Sequence, residues 1–501
     1  MDNFKLSEKI DRKFVVKILL SIYLLWMMLN NFTHSSLWGD EWVEFMVSKR
    51  PILNGDMYER VLYTYQPPIY NWVMHFWLEL GDSVAWFRFF NIIPGVITLL
   101  AVYKSIKKLI GENAALISTF VFGSMYQWIY CVQECSEYCI MVCFLACALY
   151  FFINAIEDGR ARDMLLMVAM CIGAMYSQYG AFFVVMPLLI IYMVHVLFSK
   201  DKKNIINMLI TYLVALIGFA IPLYVFYAKI QLAGNEVGDH STIEFGLSQL
   251  AHLFIVFGGL VGYFLNIIQY KLLYMVIAVV GLIIAGCGIY LIAKGRLSLI
   301  KKYLVIGYFV SYVMYYVLVT VQIYAMMHPG QSSGYYSRYG YFFLPYTIIT
   351  FAVIIYEMLK LLGERAGCAR MILTAIYCVL FFFGLPGIVS NWDKSYDDQA
   401  YQVWLSNDGF KETTYNLGAA RYTYKYYKKY VSEADYTGEA VRDMNMDIDD
   451  LDENSFWVWE SGWADYYTFD EILDKAKTEG YDITVYFDAE TTKLAHCVKI
   501  K

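Results

Sequence analysis

Apolar runs of about 20 residues recur along most of this chain, each long enough to cross the hydrocarbon core of a bilayer as an α-helix. In lipid no water satisfies exposed backbone groups, so a chain built this way is confined to a helical bundle. Of its 501 residues 59% are apolar and only 17% charged, which is the balance of a polytopic membrane protein. The runs are Phe14–Asn31, Trp86–Tyr103, Asn113–Tyr130, Tyr138–Ile156, Met164–Ser177, Ala181–Phe198, Ile205–Ala228, Leu272–Ala293, Tyr303–Ala325, Tyr339–Leu359 and Met371–Val389, which predict about eleven transmembrane helices. Lys5, Lys9, Arg12, Lys13 and Lys17 lead into the first run, and no small-residue cleavage site follows it. The first run is therefore expected to be a retained helix with its N-terminus in the cytoplasm, not a signal peptide.

With spans alternating sides, the basic clusters fall together. They are Lys104, Lys107 and Lys108; Arg160 and Arg162; Lys200, Lys202 and Lys203; Lys294, Arg296, Lys301 and Lys302; and Lys360, Arg365 and Arg370. The positive-inside rule makes that side cytoplasmic. Leu250–Ile268 is also apolar enough to span, yet a twelfth helix there would carry the last two clusters outside. It is expected to be re-entrant or interfacial, and Gly258, Gly259 and Gly262 weaken it as a regular helix.

After Pro386-Gly387 the character changes. Residues 391–501 hold 23 acids against 12 bases, a balance of −11 in a chain whose total is −6. This stretch is expected to be a separate extracytoplasmic α/β domain, large enough for a small core, following a membrane domain of residues 1–390. Strands are expected at Phe456–Glu460, Asp482–Phe487 and Leu494–Ile500, with a helix over Thr468–Lys477. The tyrosine- and lysine-rich run Arg421 to Tyr430 fits an amphipathic helix packing its tyrosines, or a surface for sugars or a polyanion.

Cys131, Cys135, Cys139, Cys143 and Cys147 recur every four residues, a stripe along one helix that suits close packing. No paired metal-ligand spacing, glycine-rich phosphate loop, His-Glu-x-x-His or nucleophile elbow is present. Soluble-nucleotide chemistry thus has no support, and no nucleic-acid partner is expected. His195 and His252 sit in apolar surroundings, as core residues do, whereas His328 falls in an external loop.

Polar groups converge on the external side. Asp40-Glu41 follow the first span, two adjacent carboxylates at a membrane face where desolvation is costly and a functional role is the default. The alternative is a solvated acidic loop. On the same side lie Tyr65-Gln66-Pro67-Pro68-Ile69-Tyr70, Arg88, Gln133-Glu134 and Ser337-Arg338-Tyr339. Carboxylates supply a base, arginines supply phosphate partners, and an apolar wall between helices holds a lipid tail.

In these elements the chain resembles the GT-C integral-membrane glycosyltransferases, in the branch of the protein O-mannosyltransferases and lipid A aminoarabinose transferases. The features, in order, are Asp40-Glu41; Pro67-Pro68-Ile69-Tyr70; Leu80-Gly81-Asp82-Ser83 followed by Arg88; Gln133-Glu134 with Tyr138; and Arg338-Tyr339 before Leu344-Pro345. Relatives often carry His before the two prolines and Arg in a Gln-Glu-x-Arg-x-Tyr element. Gln66 and Ser136 stand there in this chain, which removes one phosphate partner and one metal ligand.

The resemblance implies a GT-C-like membrane domain in the cell membrane. A hexosyl or pentosyl group would pass from a polyprenyl-phosphate donor to a glycolipid, cell-surface polymer or protein outside. It implies Asp40 as the base with Glu41 beside it, and Gln66, Tyr70, Arg88, Gln133, Glu134, Tyr138, Arg338 and Tyr339 around the substrates. It implies single displacement with inversion and no required cofactor, a divalent metal being the open alternative. A transporter or flippase of lipid-linked saccharide would place ionisable residues mid-span, where this chain has few. A non-catalytic carbohydrate-binding membrane protein is the third class.

Overall fold

The computed structural model describes residues 12–29, 37, 39–50, 67–81, 83–199, 202–233, 271–320, 336–363, 397–418, 442–443, 453–460, 469–489 and 492–500, with parts of 366–378. Gln66, His328, residues 250–268, residues 421–430 and most of 371–389 lie outside them. Two compact units are present. The first comprises Met1–Asn30, Tyr58–Val73 and Arg88–Ile388, and the second Asn31–Met57, Met74–Phe87 and Val389–Lys501.

The fold is a helical membrane bundle with a small C-terminal sheet domain. Its helices are α1 (Arg12–Leu29), α2 (Gly39–Ser48), α3 (Ile69–Leu78), α4 (Val84–Phe89), α5 (Ile92–Ile110), α6 (Glu112–Gly123), α7 (Tyr126–Gln133), α8 (Tyr138–Asp158), α9 (Ala161–Ser177), α10 (Phe182–Ser199), α11 (Lys202–Ala233), α12 (Lys271–Ala293), α13 (Leu299–Thr320) and α14 (Leu344–Leu361). Among the described residues, Val84–Ile110, Tyr138–Asp158, Tyr179–Ser199, Lys202–Ala220 and Gly340–Leu361 are long and apolar enough to cross a membrane, and α6 with α7 makes a sixth if counted as one span. Helices α1, α9, α12 and α13 occupy further apolar runs.

The third expected span departs from a straight helix. Between α6 and α7 the axis turns by 63°. Ser124 donates its hydroxyl back to the Phe120 carbonyl at 2.7 Å, a bond that competes with the helix ladder and bends it. Gly123 accepts the tip of Leu24 from α1 so closely that any Cβ there would collide. The apolar pattern runs through this break unaltered, so hydropathy alone reads it as continuous.

The five cysteines do not share one helix, because the chain breaks after Gln133: Cys131 lies in α7, Cys135 in the turn that follows, and Cys139, Cys143 and Cys147 in α8. Cys131, Cys135, Cys139 and Cys143 are buried, and α8 meets α9 where Gly173 lies against the Phe144 ring. At one end of the bundle basic side chains tie helix termini together. Lys17 Nζ is 2.6 Å from Glu112 Oε1, Lys108 Nζ is 2.9 Å from Asp158 Oδ1, and Lys301 Nζ is 2.5 Å from Glu357 Oε1 with both side chains largely buried.

In the second unit, α15 (Asp397–Ser406) precedes β1 (Thr413–Gly418), β2 (Arg442–Asp443), β3 (Asn454–Glu460), α16 (Phe469–Thr478), β4 (Tyr481–Asp488) and β5 (Thr492–Lys499). The sheet order is β2-β1-β3-β5-β4. The β1–β2 and β1–β3 pairs are parallel, and β3–β5 and β4–β5 are antiparallel. Period-2 alternation sends Trp457, Tyr481, Ala495 and Cys497 to one face. There they meet Phe469, Ile472, Leu473 and Ala476 of α16, a spacing that forms one helical stripe. Acids in the first turn of α16 and lysines in its last complement the helix dipole. From α15, Trp404 Nε1 donates to Thr414 Oγ1 of β1 at 3.0 Å. Burial pushes the Cys497 thiol well above its ordinary range.

Candidate active site

The first unit brings its polar residues to the bundle end opposite the lysine-tied one. Helix α7 finishes at Gln133, and Glu134 leaves it in extended conformation. The N–H of Ser136 bonds the Glu134 carbonyl at 2.9 Å, forming a tight turn into α8. Asn91, preceding α5, donates Nδ2 to the same Glu134 carbonyl at 2.6 Å, and the Cys139 thiol donates to the Asn91 carbonyl at 3.5 Å. The α4–α5 junction is thus fastened to the α7–α8 turn. Arg88, Asn91, Gln133, Glu134, Ser136, Glu137 and Tyr138 are all buried around it.

Charged groups are seldom buried unless paired or hydrogen-bonded, so a guanidinium and two carboxylates held at this junction mark a site. The hydroxyl of Ser136 and Oδ1 of Asn91 are buried without a hydrogen bond. Glu137 escaped the sequence reading. Its signal was a second acid three residues after Glu134, one turn on across the junction.

Tyr70 and Tyr138 frame the junction. Pro67 and Pro68 immediately precede α3 and fix the φ of the chain entering it, and Tyr70 in its first turn packs edge-on against Phe90 at 6.2 Å. Tyr138 meets Tyr341 edge-on at 5.5 Å. Tyr341 lies in the 3₁₀ segment Tyr336–Phe343, which also holds Arg338 and Tyr339. The backbone of those two residues is therefore brought to the same end of the bundle. Their side chains, like that of Asp40 and the whole of Gln66, lie outside the described residues.

Gln133 spends its amide differently from the other site candidates. Its Nε2 donates to the carbonyls of Met27 at 3.1 Å and Met28 at 3.4 Å. These belong to the last turn of α1, where carbonyls have no partner within the helix.

In the second unit, α2 carries Asp40 and Glu41 in its first turn, where negative charge suits the helix dipole. Glu41 is buried, as is Glu44 one turn on, which the sequence reading also left out. The far end of α2 is fastened to α3. His75 Nδ1 is 2.9 Å from the Ser48 carbonyl, and Lys49 Nζ donates to the Leu78 carbonyl at 3.3 Å. Phe45 lies edge-on between Trp42 at 6.0 Å and Phe87 at 5.3 Å. No three His, Cys, Asp or Glu side chains are grouped to hold a metal ion among the described residues.

Residues 65–226 match the sequence profile of a family described as dolichyl-phosphate-mannose-protein mannosyltransferase. The match takes in Tyr70, Arg88, Gln133, Glu134 and Tyr138. No curated protein matches the chain. Among solved structures it resembles ArnT from Cupriavidus metallidurans in the apo state, at 13% identity and a TM-score of 0.55, over 97% of this chain and 97% of that one. It also resembles the Archaeoglobus fulgidus oligosaccharyltransferase in complex with zinc and sulfate, at 15% identity and a TM-score of 0.50, over 81% of this chain and 60% of that one. The likeness shows a GT-C fold.

Proposed function

We propose that this protein is a membrane glycosyltransferase that moves a sugar from a polyprenyl-phosphate donor to an acceptor at the extracytoplasmic face. The observation that carries the reading is the buried junction of Arg88, Asn91, Glu134 and Tyr138, inside the stretch that matches a dolichyl-phosphate-sugar-dependent family. The positive-inside rule sends the lysine-tied end to the cytoplasm. The junction then faces outward, where no nucleotide sugar is supplied and a lipid-linked donor is the available activated sugar.

In this reading Asp40 accepts the proton of an acceptor hydroxyl as its oxygen attacks the anomeric carbon. The bond from that carbon to the phosphate oxygen breaks, and its electron pair leaves with the polyprenyl phosphate. Single displacement inverts the anomeric centre. Catalysis rests on positioning and on stabilising the departing phosphate. The acid-rich turn at Glu134 and Glu137 disfavours a phosphate lodged at Ser136, so Arg338 takes that role first and Arg88 second. No step requires a metal ion.

The test is transfer by purified full-length protein from radiolabelled polyprenyl-phosphate sugars, with nucleotide sugars as the comparison. Incorporation from the lipid donor alone is expected. Incorporation from the nucleotide sugar alone refutes the reading, as does donor translocation across a vesicle without any transfer.

A further inference from the structure

Between α3 and α4 the chain doubles back, and two tryptophans close the fold. Trp77 and Trp86 stack with ring centres 4.3 Å apart and planes within 2° of parallel. Each indole N–H donates to the other residue's backbone carbonyl at 2.9 Å. Gly81 lies under the pair, where a Cβ would meet the Trp86 indole at 3.1 to 3.4 Å.

Reciprocal bonding has a solvation consequence. Indole N–H groups ordinarily need water or a partner, and transferring one unpaired to an apolar medium is costly. Here both are satisfied inside the clasp, so its surface enters lipid without orphaned indole donors. On its outside Phe76 is 67% exposed and Leu80 74% exposed. Water is a poor medium for both. At ten residues α3 is too short to span a bilayer, yet the chain runs directly from the clasp into Val84–Ile110, a membrane-length segment with Trp86 in its first turn. Tryptophan is enriched at that level of a membrane, where hydrocarbon meets headgroups.

We propose that the α3–α4 clasp is a lipid-docking device: Phe76 and Leu80 enter the acyl-chain boundary of the bilayer while the Trp77–Trp86 pair rests at the interface. The occupant is the bilayer itself, because the exposed residues continue in sequence into a membrane-crossing helix. The clasp also holds α2 through His75–Ser48 and Lys49–Leu78. Asp40 and Glu41 sit at the opposite end of that helix, about 15 Å away at 1.5 Å per residue. Anchoring the clasp therefore limits the depth at which these acids meet the membrane. That last step rests on the function proposed above, whereas the docking itself does not.

Full-length protein in phosphatidylcholine–phosphatidylglycerol nanodiscs decides the matter. With exposed Cys368 and Cys378 replaced by alanine, a nitroxide is placed at Leu80→Cys. References are Leu100→Cys, exposed on a membrane-length segment, and Glu479→Cys, exposed on the C-terminal domain. Power-saturation electron paramagnetic resonance compares collisions with oxygen, which partitions into lipid, and with a nickel chelate, which stays in water. The oxygen-to-nickel ratio at Leu80 is expected to fall with Leu100 and well above Glu479. A nickel-dominated ratio like that of Glu479 overturns the proposal. If Leu80→Cys fails to assemble, Phe76→Cys gives the same reading. Since no sugar transfer is measured, a failed transferase assay leaves this result standing, and aqueous labels leave the transferase reading standing.

Discussion

Replacing Gln133 separates a helix-capping residue from a substrate ligand. Its bond to Met27 at 3.1 Å falls within the ordinary N–H···O range, and the 3.4 Å contact to Met28 lies beyond it, so the Met27 bond is the stronger of the two. Gln133→Met keeps the volume and removes the donor. A buried carbonyl left unsatisfied costs about 1–3 kcal/mol, and polar contacts between membrane helices run to about 1.7 kcal/mol at most, so roughly 1–2 kcal/mol is expected. Gln133→Ala also loses side-chain packing, at about 0.8 kcal/mol for each buried methylene. Gln133→Glu directs a carboxylate at two carbonyls and is the worst of the three. Thermal unfolding in one detergent should rank wild type above Met, Met above Ala and Ala above Glu. Initial rates well below the melting temperature should show an unchanged donor KM for Gln133→Met. A Gln133→Met protein as stable as wild type but with a raised KM refutes the capping role and gives the amide to the substrate.

Three further outcomes follow from the same account. Asp40→Asn should slow transfer by about 10²–10⁴ with expression intact, and Glu41→Gln should cost less; single-turnover rates with a labelled donor check both. Arg338→Ala should weaken donor use by the loss of a charge-assisted bond worth about 1.5–3 kcal/mol, with Arg338→Lys recovering only part because an ammonium lacks the planar fork, as donor titration will read. Tags after Lys108, Arg162, Lys203 and Arg370 should report cytoplasm, and tags near Gly234 and at Lys501 the exterior; a cytoplasmic C-terminus breaks the orientation on which the proposed site depends.

Much of the architecture is legible in local pattern. Membrane-length runs announce their helices because lipid demands length and apolarity at once, as with α8 over the expected Tyr138–Ile156. In the tail, alternation finds β3, β4 and β5, and the amphipathic stripe finds α16, each within a few residues. What local pattern misses is set by distant partners. Helix α2 is too short and mixed to register as a span, and what holds it, His75 and Leu78, lies about 30 residues on. At the break between α6 and α7, Gly123 leaves room for Leu24 from another helix, a contact that local pattern does not announce. The candidate site divides in the same way. Glu134 and Arg88 were conspicuous as charges in apolar company, whereas Asn91 became visible only through its bond to the Glu134 carbonyl. Gln133 took on its capping role only once the end of α1 was placed beside it.

The central claim is that this protein moves a sugar from a lipid phosphate to an acceptor with Asp40 as base. Its most direct measurement follows both products at once in purified protein supplied with a labelled polyprenyl-phosphate sugar and a cell-envelope acceptor. The account predicts label in the acceptor and free polyprenyl phosphate in equal amounts, with inverted anomeric configuration, both abolished in Asp40→Asn. Full release and transfer by Asp40→Asn, or retention of the donor's configuration, contradicts it.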